Sequence, residues 1–346
     1  ENITMSLPPV EIPLGAMRFN SDSQKLEYFN GQIWMQIHTF SPDLNGGARG
    51  IWVAGNYYTG SGQTAINIIE YVTISTAGNA VEFGEASQKW KYNAGCASRT
   101  RGVTGGGHSA SSSPAYSNVM EYITIASTGD TTDFGDLLSD NKTFPAALSD
   151  QTRGIWGGGG ASGSKVNTMG YVTIATLGDC VDFGDITQAR SNISGLSSPT
   201  RGIWGGGYTP TNQNTIDYIT IATTGVNASD FGDMTYKAQM SAGSGSSTRG
   251  IFWSGTTAPR NNIDYITIAT TGNAVDFGDS TLDLGYGNTC SSSIRSVRGG
   301  GQDGTVSNVI EYITIATQGD AVDFGDLSTT EHRSCGTFSN GHGGLG

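Results

Sequence analysis

The sequence has few charged residues, few basic residues in particular, and no long apolar run. Charged residues make up 14% of its 346 residues, and 30 Asp and Glu against 18 Lys and Arg give a formal net charge of −12. Because Lys and Arg nowhere form a cluster, nucleic acid and an anionic membrane surface are both disfavoured as partners. No apolar run approaches the roughly 18 residues that a transmembrane helix needs, so we expect no membrane insertion.

Cysteine and histidine are also scarce. Cys96, Cys180, Cys290 and Cys335 stand far apart without a C-x-x-C motif, which favours reduced thiols and leaves a single bridge open. The histidines show no metal-ligand spacing, no G-x-S-x-G is present, and we expect neither a cofactor nor a metal. The N-terminus lacks the basic start and apolar stretch of a signal peptide, and without an initiator Met it leaves open whether residues precede Glu1.

The chain is rich in Gly, with 52 residues, and in one long repeat. Six segments resemble "IDYITIA", and an acidic–Phe–Gly–acidic tetrad follows each tyrosine by about a dozen residues. An Arg-Gly-type step precedes each tyrosine by about twenty residues. The tyrosines are Tyr71, Tyr122, Tyr171, Tyr218, Tyr265 and Tyr312; the phenylalanines are Phe83, Phe134, Phe183, Phe231, Phe277 and Phe324; the arginines are Arg49, Arg101, Arg153, Arg201, Arg249 and Arg298.

Each repeat reads as four short strands. "RGIWGGG", "YITIA" and "AVDFG" alternate or are β-branched, and a weak strand such as the one within Ser241–Thr248 precedes the next Arg-Gly. Four strands in about 47 residues, repeated six times, predict an all-β, six-bladed β-propeller over residues 44–346. The C-terminal "FSNGHGG" looks like a degraded copy of "STRGIWGG" and is expected to supply a strand that joins the last blade to the first.

Two resemblances add a context to this fold. The Gly triplet followed by a Tyr strand resembles kelch-type repeats, with the late Trp of that family replaced by the Phe of "DFG". The pattern "YITIATTGNA" followed by "DFGD" is similar to repeats of marine-phage virion proteins. Residues 1–43 lack the repeat and predict a linker followed by a three-stranded meander, because an Asn30-Gly31 turn separates alternating segments.

This N-terminal meander resembles a short module of bacteriophage tail and fibre proteins. The matching positions are Gly15, Arg18, Phe19, Asn20, Lys25, Leu26, Glu27, Phe29, Asn30, Gly31 and Trp34. The resemblance implies a virion protein, assembled in the host cytoplasm, that meets other virion proteins through residues 1–43 and is a homo-oligomer on the particle. Fibre, adhesin, tail and head-decoration components all stay open. The candidate attachment residues are Arg18, Phe19, Tyr28, Phe29 and Trp34.

The repeated residues favour architecture over chemistry. Asp276 belongs to an Asp-Phe-Gly triplet that would hold magnesium in a kinase, but the other kinase motifs are absent and the triplet recurs. Phe277 is expected to pack between blades and Gly278 to permit a bulge, while the aspartates accept bonds from turn amides or pair with the repeated arginines. Arginines lining a channel for an anion are the alternative. Trp52, Trp156, Trp204 and Trp253 are expected in the core, with a sugar-stacking platform as their alternative.

Loops that break the symmetry are the better candidates for recognition. They follow the Gly-rich strand at one point of each repeat and should share one face of the ring, with the candidate residues Tyr57, Tyr58, Tyr116, Tyr208, Asn212 and Arg260. The favoured function is a non-enzymatic virion structural protein that displays a propeller for attachment or host-surface recognition, of a glycan or a protein. The alternatives are a kelch-like carbohydrate-binding protein outside a virion and a propeller glycosidase or lyase.

Overall fold

The chain folds from strands, as the alternating segments predict. The computed structural model describes residues 12–20, 25–36, 48–59, 62–108, 115–139, 143–161, 164–257, 259–303, 305–328 and 332–346. These residues form antiparallel strands and one short 3-10 helix, Gly343–Leu345, and no α-helix, which confirms the all-β prediction. They divide into two compact units, Glu1–Leu44 and Asn45–Gly346.

The first unit holds a three-stranded sheet with the strands Met17–Asn20, Lys25–Phe29 and Trp34–Gln36 in sequential order. The turn at Asn30 is fixed by its own side chain, because Oδ1 accepts hydrogen bonds from the amides of Gln32 at 2.9 Å and Ile33 at 2.8 Å. Gly31 follows with φ +96°, a left-handed backbone that glycine adopts without strain. Asn-Gly therefore makes the turn that the sequence predicts.

The second unit consists of six antiparallel sheets, one for each repeat, here called sheets 1 to 6 with strands a to d. Sheet 1 comprises Gly336–Ser339, Arg49–Thr59, Gly62–Thr73 and Val81–Trp90; sheet 2, Ala94–Ala97, Arg101–Gly105, Val119–Thr124 and Thr132–Asp136; sheet 3, Ala146–Ser149, Arg153–Gly157, Thr168–Thr173 and Val181–Asp185; sheet 4, Ser194–Ser197, Arg201–Gly205, Thr211–Thr220 and Ser229–Ala238; sheet 5, Ala242–Gly245, Arg249–Trp253, Asn262–Thr267 and Val275–Asp279; and sheet 6, Asn288–Ser291, Arg295–Gly299, Val309–Thr314 and Val322–Asp326.

Short hairpins decorate three of the b–c loops. Tyr208–Thr209 pairs with strand c of sheet 4, Gly160–Ala161 pairs with Ser164–Lys165, and Gln302–Asp303 pairs with Thr305–Val306. These additions differ from repeat to repeat, whereas strands a to d recur in every sheet.

Sheet 1 takes its strand a from the other end of the chain. Gly336–Ser339 pairs with Arg49–Thr59, with Phe338 opposite Ile51 and Ser339 opposite Gly50. A C-terminal strand therefore completes the first sheet, but the predicted alignment is wrong. The strand corresponds to the segment that precedes the Arg step, such as Asn288–Ser291, and the residues after Ser339 form a turn and the 3-10 helix instead of a copy of "STRGIWGG".

The six sheets contact one another in a closed cyclic order. Strand a of each sheet packs against strand a of the sheets before and after it, and Asn288–Ser291 of sheet 6 packs against Gly336–Ser339 of sheet 1. One buried apolar cluster lies between each neighbouring pair of sheets, the sixth being formed by sheets 6 and 1 around Trp52 and Phe324. Each sheet therefore buries both faces against its neighbours.

The Asp-Phe-Gly-Asp tetrad joins each sheet to the next through a set of hydrogen bonds, here called the clasp. The glycine amide of the next sheet's c–d turn donates to the Phe carbonyl at 2.8–3.0 Å in all six interfaces. The second acidic residue of the tetrad donates its amide to Oδ1 of the turn's Asn or Asp at 3.0–3.1 Å. Its carbonyl in turn accepts at 2.7–3.0 Å from the amide two residues after the turn glycine in five interfaces, and in the sixth from Ala228, three residues after Gly225.

The clasp explains why the third tetrad residue is glycine. Gly278 has φ +146°, and the ladder between strands c and d shifts register there. A Cβ on Gly278 would lie 2.5 Å from the carbonyl oxygen of Gly319 in the next sheet. Phe277 is left buried between sheets 5 and 6, while Asp276 is exposed. The tetrad contributes its backbone to the clasp, so the prediction that the tetrad carboxylates accept the turn amides is wrong.

The repeated arginines also tie neighbouring sheets together, but not through carboxylates. Each guanidinium lies over the tyrosine ring of its own sheet at 4.4–5.5 Å, and its Nη1 donates to an isoleucine carbonyl of the next sheet at 2.7–3.1 Å. The members are Arg49, Arg101, Arg153, Arg201, Arg249 and Arg295. The predicted ion pairs with the tetrad aspartates are therefore wrong, and the sixth member is Arg295 rather than Arg298.

The tyrosine of each repeat lies between the arginine and the tetrad phenylalanine. The two aromatic rings meet edge to face with centroids 5.8–6.2 Å apart in every sheet, as in Tyr265 with Phe277. The other pairs named from the sequence are Tyr71 with Phe83, Tyr122 with Phe134, Tyr171 with Phe183, Tyr218 with Phe231 and Tyr312 with Phe324. One Arg–Tyr–Phe stack per sheet therefore links the repeat's three markers.

In five sheets the residue before the repeated tyrosine is a buried Asp or Glu, and this feature was not predicted from the sequence. Asp264 accepts hydrogen bonds at 2.7 Å from both the amide and the hydroxyl of Thr235 in the preceding sheet. Burial raises the pKa of Asp264, and these bonds partly counteract that rise. In sheet 3 the carboxylate position is Gly170, and Leu138 stands where the preceding sheet would supply Ser or Thr. The carboxylate and its hydroxyl partner are therefore replaced together, so neither position has a buried polar group that lacks its partner.

Candidate functional site

The b–c loops and the linkers between sheets lie on one face of the second unit, here called the loop face. Isolated bridges join one linker residue to one b–c loop residue in five of the six places: Lys91 to His108, Thr143 to Gly160, Ser191 to Tyr208, Gly285 to Gln302 and Arg333 to Asn56. In the sixth, the Thr256 amide donates to the Gln239 carbonyl at 3.0 Å, so each linker runs beside a b–c loop. The predicted clustering of these loops on one face is consistent with these bridges.

The predicted recognition residues occupy different surroundings on this face. Tyr116 is half-buried and meets His108 edge to face at 5.1 Å, while Lys165 lies 4.8 Å from the Tyr208 ring. Asn212 donates to Thr257 Oγ1 at 2.7 Å, and the Arg260 amide donates to Asp283 at 2.7 Å. Tyr57 and Tyr58 belong to strand Arg49–Thr59, and their side chains lie outside the described residues.

Six linker residues stand closer to the centre of this face, and sequence reasoning missed them. All six have left-handed backbones with φ between +50° and +65°, although none is glycine; they are Tyr92, Phe144, Asn192, Met240, Tyr286 and Ser334, here called the mouth residues. Such a conformation costs a non-glycine residue on the order of 1 kcal/mol, and strain of this kind is concentrated at functional sites.

Backbone hydrogen bonds hold the mouth residues in a cycle. The amide of Tyr92 donates to Ser334 at 2.8 Å, Phe144 to Tyr92 at 3.0 Å, Asn192 to Phe144 at 3.1 Å, Met240 to Asn192 at 3.0 Å and Ser334 to Tyr286 at 3.3 Å. Five of the six possible links are therefore present. The backbone is the same at each position while the side chains differ, so the mouth presents an asymmetric surface on a repeated backbone.

A cavity opens between the mouth residues and continues along the a strands. The outer part encloses about 80 Å³ and is lined by all six mouth residues together with Asn93, Asn288 and their neighbours. A middle part of about 120 Å³ shares Asn93, Pro145 and Ser241 with it. An inner part of about 60 Å³ reaches Cys96, Leu148 and Phe338. Each part is smaller than the roughly 300–1,000 Å³ of a typical small-ligand pocket.

The inner end of the cavity is covered by the C-terminal 3-10 helix. Its N-cap His342 donates from Nε2 to the carbonyl of Ala97 at 2.8 Å, and its Nδ1 accepts from the amide of Gly344 at 3.1 Å. Arg99 donates to the carbonyls of Leu345 and Gly346 at 2.9 and 3.1 Å. Burial lowers the pKa of His342 to about 4, and a proton on Nδ1 would also face the Gly344 amide.

The lowered pKa of His342 predicts that the stability of the protein depends on pH. The folded pKa of about 4 lies below the ordinary value of 6.5, so the contribution of neutral His342 is complete above pH 6.5 and is lost as the pH falls toward 4. We expect wild type to lose roughly 1–2 kcal/mol more than His342→Gln between pH 7 and pH 4.5. Urea unfolding at both pH values measures this difference, and equal losses in the two proteins would contradict it.

Positive charge collects at one side of the mouth. The Arg333 guanidinium stacks on Tyr286 with its carbon 3.6 Å from the ring centroid, and Lys91 Nζ lies 5.4 Å from the Tyr92 ring. Arg333 is 6% exposed, and its Nε has no hydrogen-bond partner in the described part of the chain. Burial, followed by the charge of Arg333, lowers the pKa of Lys91.

The tryptophans named from the sequence lie in the core. Trp52, Trp156, Trp204 and Trp253 are fully buried, so the alternative of a sugar-stacking platform is wrong for them. Trp253 also stands one position later than the others, since Phe252 occupies the place of Trp204. Arg298 occupies the same place in sheet 6, where it is buried and pairs with Glu311 at 3.1 Å.

The N-terminal sheet has two unlike faces. Arg18 bonds Glu27 at 2.9 Å and lies 4.2 Å from the Trp34 ring, and Phe29 meets Trp34 at 5.5 Å, so four of these side chains pack on one face. The other face is apolar and exposed, with Met17, Phe19, Leu26, Tyr28 and Met35 between 38% and 66% exposed. Of the candidate attachment residues, Phe19 and Tyr28 therefore belong to this exposed face, whereas Arg18, Phe29 and Trp34 support it.

The described residues contain no group of three or more His, Cys, Asp and Glu side chains placed to hold a metal ion. Within the same part of the chain, no helix is long and apolar enough to cross a membrane. No protein-family model matches the sequence, and no curated protein is significantly similar to it.

Proposed function

We propose that residues 44–346 form a six-bladed β-propeller and that the chain is a non-enzymatic structural protein of a bacteriophage virion. In this proposal the N-terminal sheet attaches the protein to the particle, or to identical subunits on it, and the propeller presents its loop face outward. The fibre, adhesin, tail and head-decoration roles share this arrangement.

The propeller is supported by the cyclic order of the sheets. Each of the six sheets contains the four antiparallel strands a to d, contacts two neighbours through its a strand, and is joined to the next by the clasp. The C-terminal strand in sheet 1 removes the free edge that an open row of sheets would leave. Sheets joined in this way around a cavity are the architecture of a propeller.

The observation that carries the attachment role is the exposed apolar face of the N-terminal sheet. A three-stranded sheet of this size is not stable alone, and soluble proteins rarely leave a contiguous apolar face uncovered. Met17, Phe19 and Tyr28 are 60%, 66% and 39% exposed on the N-terminal sheet, and in this proposal a partner surface covers them. The virion setting comes from the resemblance of this sheet to phage tail and fibre modules.

The test is incorporation into particles of the phage that encodes the chain. We expect mass spectrometry of purified particles to detect the wild-type protein. Because burying each of these aromatic side chains stabilises an interface by about 1.5–3 kcal/mol, the double variant Phe19→Ser, Tyr28→Ser should be incorporated at least tenfold less. Ile33→Ser is the matched control, since Ile33 is 59% exposed at the turn rather than on the apolar face. Absence of the wild-type chain from particles, or equal incorporation of both variants, would refute the proposal.

A further inference from the structure

We infer that Asn30, in the turn between strands Lys25–Phe29 and Trp34–Gln36, is a site of spontaneous deamidation, at which the side-chain amide is converted to Asp or isoAsp. The inference goes beyond the proposed function, because it concerns the covalent chemistry of one turn and needs no partner. The sequence contains three Asn-Gly pairs, Asn30-Gly31, Asn45-Gly46 and Asn340-Gly341. The first and the third belong to the described residues, and their surroundings differ in the features on which the reaction depends.

The reaction is an intramolecular displacement between the Asn side chain and the next backbone amide. The Gly31 nitrogen loses its proton to water or hydroxide and attacks Cγ of Asn30. The N–Cγ bond forms, the Cγ–Nδ2 bond breaks, and Nδ2 takes a proton from water and leaves as ammonia. Water then opens the resulting five-membered succinimide at either carbonyl to give Asp or isoAsp. Glycine favours this attack because it places no side chain beside the nucleophile.

The nucleophile that follows Asn30 is accessible. Within the described part of the chain the Gly31 amide donates no hydrogen bond, and both residues are exposed on the N-terminal sheet. Apart from the chain neighbours of Gly31, the described residues come within 4 Å of its Cβ position only at Leu14 Cδ1, 3.4 Å away. Water therefore reaches both the amide proton that must leave and the succinimide that must open.

The electrophile is polarised by the turn itself. Asn30 Oδ1 accepts hydrogen bonds from the amides of Gln32 at 2.9 Å and Ile33 at 2.8 Å. Negative charge develops on this oxygen as the nitrogen attacks Cγ, and two amides at this distance stabilise it as an oxyanion hole does. The Asn30 amide also donates to the Ile33 carbonyl at 3.1 Å, so the side chain and the backbone of Asn30 are both held in the turn.

The pair Asn340-Gly341 has the same sequence but closed surroundings. Asn340 is 5% exposed, and its Oδ1 accepts from the Arg49 amide at 2.8 Å. The Gly341 amide donates to Ser339 Oγ at 3.4 Å, and a Cβ on Gly341 would lie 2.5 Å from Ala48 Cβ. Because its nucleophile is bonded and its side chain is buried, Asn340 reacts only after this part of the chain opens.

The two products of the reaction act differently on the N-terminal sheet. Asp keeps the backbone length and an oxygen that accepts from the Gln32 and Ile33 amides, so the turn persists. In isoAsp the main chain runs through Cβ and Cγ, which lengthens the turn by one methylene and moves the acceptor. Phe29 stands opposite Trp34 directly beside this turn, with the two rings 5.5 Å apart. IsoAsp therefore disturbs the register of the last two strands, which turn length determines.

The test is peptide mapping of the full chain during incubation in warm, mildly alkaline buffer. Chymotryptic cleavage after Phe29 and Trp34 separates Asn30 from Asn45, and electron-transfer fragmentation distinguishes Asp from isoAsp. We expect Asn30 to convert at least about tenfold faster than Asn340 in the folded chain, because Asn340 requires local opening. In the guanidinium-unfolded chain, where glycine follows both residues and no structure protects either, the two rates should converge.

Asn30→Asp is the matched control for the effect of the products. It should leave the amides of Trp34–Gln36 as protected from hydrogen exchange as in fresh wild type, while the isoAsp-containing chain should exchange them several-fold faster. Equal conversion of Asn30 and Asn340 in the folded chain, or conversion of Asn30 only after unfolding, would overturn the inference. Unchanged exchange in the isoAsp-containing chain would refute the effect on the sheet.

Discussion

Gly278→Ala should destabilise the protein by about 3 kcal/mol or more, although it adds a single methyl group to a half-buried position. The new Cβ would lie 2.5 Å from the carbonyl oxygen of Gly319 and 2.6 Å from its carbonyl carbon, and both belong to the backbone of the next sheet. That backbone cannot withdraw without breaking the bond from the Gly319 amide to Phe277. The φ of +146° adds strain for any residue with a Cβ.

The matched control is Gly319→Ala in the turn that meets Gly278. Gly319 has φ +154°, close to that of Gly278, but nothing lies within 4 Å of its Cβ position. This control therefore carries the backbone strain without the collision and should cost only about 1 kcal/mol. Chemical denaturation of both variants measures the difference, and equal losses would show that the clasp does not hold the two sheets at this distance.

Removal of residues 336–346 should prevent the second unit from folding to its native state. Sheet 1 would lose its a strand, and the ring of Phe338, which is 5% exposed, would leave the faces of Gly95 and Gly102 uncovered. Loss of a buried phenylalanine alone costs about 3–5 kcal/mol, and the unpaired edge of Arg49–Thr59 adds an aggregation-prone surface. We expect aggregation or an unfolded circular-dichroism spectrum.

A shorter truncation separates the strand from the helix that follows it. Removal of residues 342–346 deletes His342 and the 3-10 helix but keeps Gly336–Ser339 paired with Arg49–Thr59. This variant should fold and melt only a few degrees lower, because the deleted segment contributes few buried side chains. A native-like spectrum and melting temperature for the longer truncation would contradict the role assigned to the C-terminal strand.

The internal repeat made much of the structure predictable. Six copies act as an alignment within one chain, so the recurrence of "DFG" marked Phe277 and Gly278 as architectural before any contact was known. The a strand was also predicted, since Ala242–Gly245 falls inside the Ser-rich segment assigned to a weak strand. Alternation in "KLEYF" and the Asn-Gly turn were sufficient for the N-terminal sheet, because local pattern alone determines a hairpin register.

The parts that were missed depend on contacts between repeats. Arg298 was taken as the sixth repeated arginine because it precedes a glycine, but the bond to the next sheet comes from Arg295, three residues earlier. The clasp could not be predicted from the sequence either, because it joins residues about forty positions apart and does so mainly through backbone atoms. A signal for the mouth did exist: Tyr92, Phe144, Asn192, Met240 and Tyr286 each stand nine residues before a repeated arginine. Their varied side chains concealed a shared left-handed backbone.

The closed order of the six sheets is the central claim, and hydrogen exchange of the full chain, followed by mass spectrometry, tests it most directly. A closed ring predicts that amides of Gly336–Ser339 exchange as slowly as those of Ser194–Ser197, the corresponding strand of sheet 4. Amides of Arg49–Gly50 and Ile74 lie in or directly beside sheet 1 where it contacts sheet 6, and they should be equally protected. Rapid exchange of Gly336–Ser339 beside slow exchange of Ser194–Ser197 would mean that the ring is open, and would contradict the account.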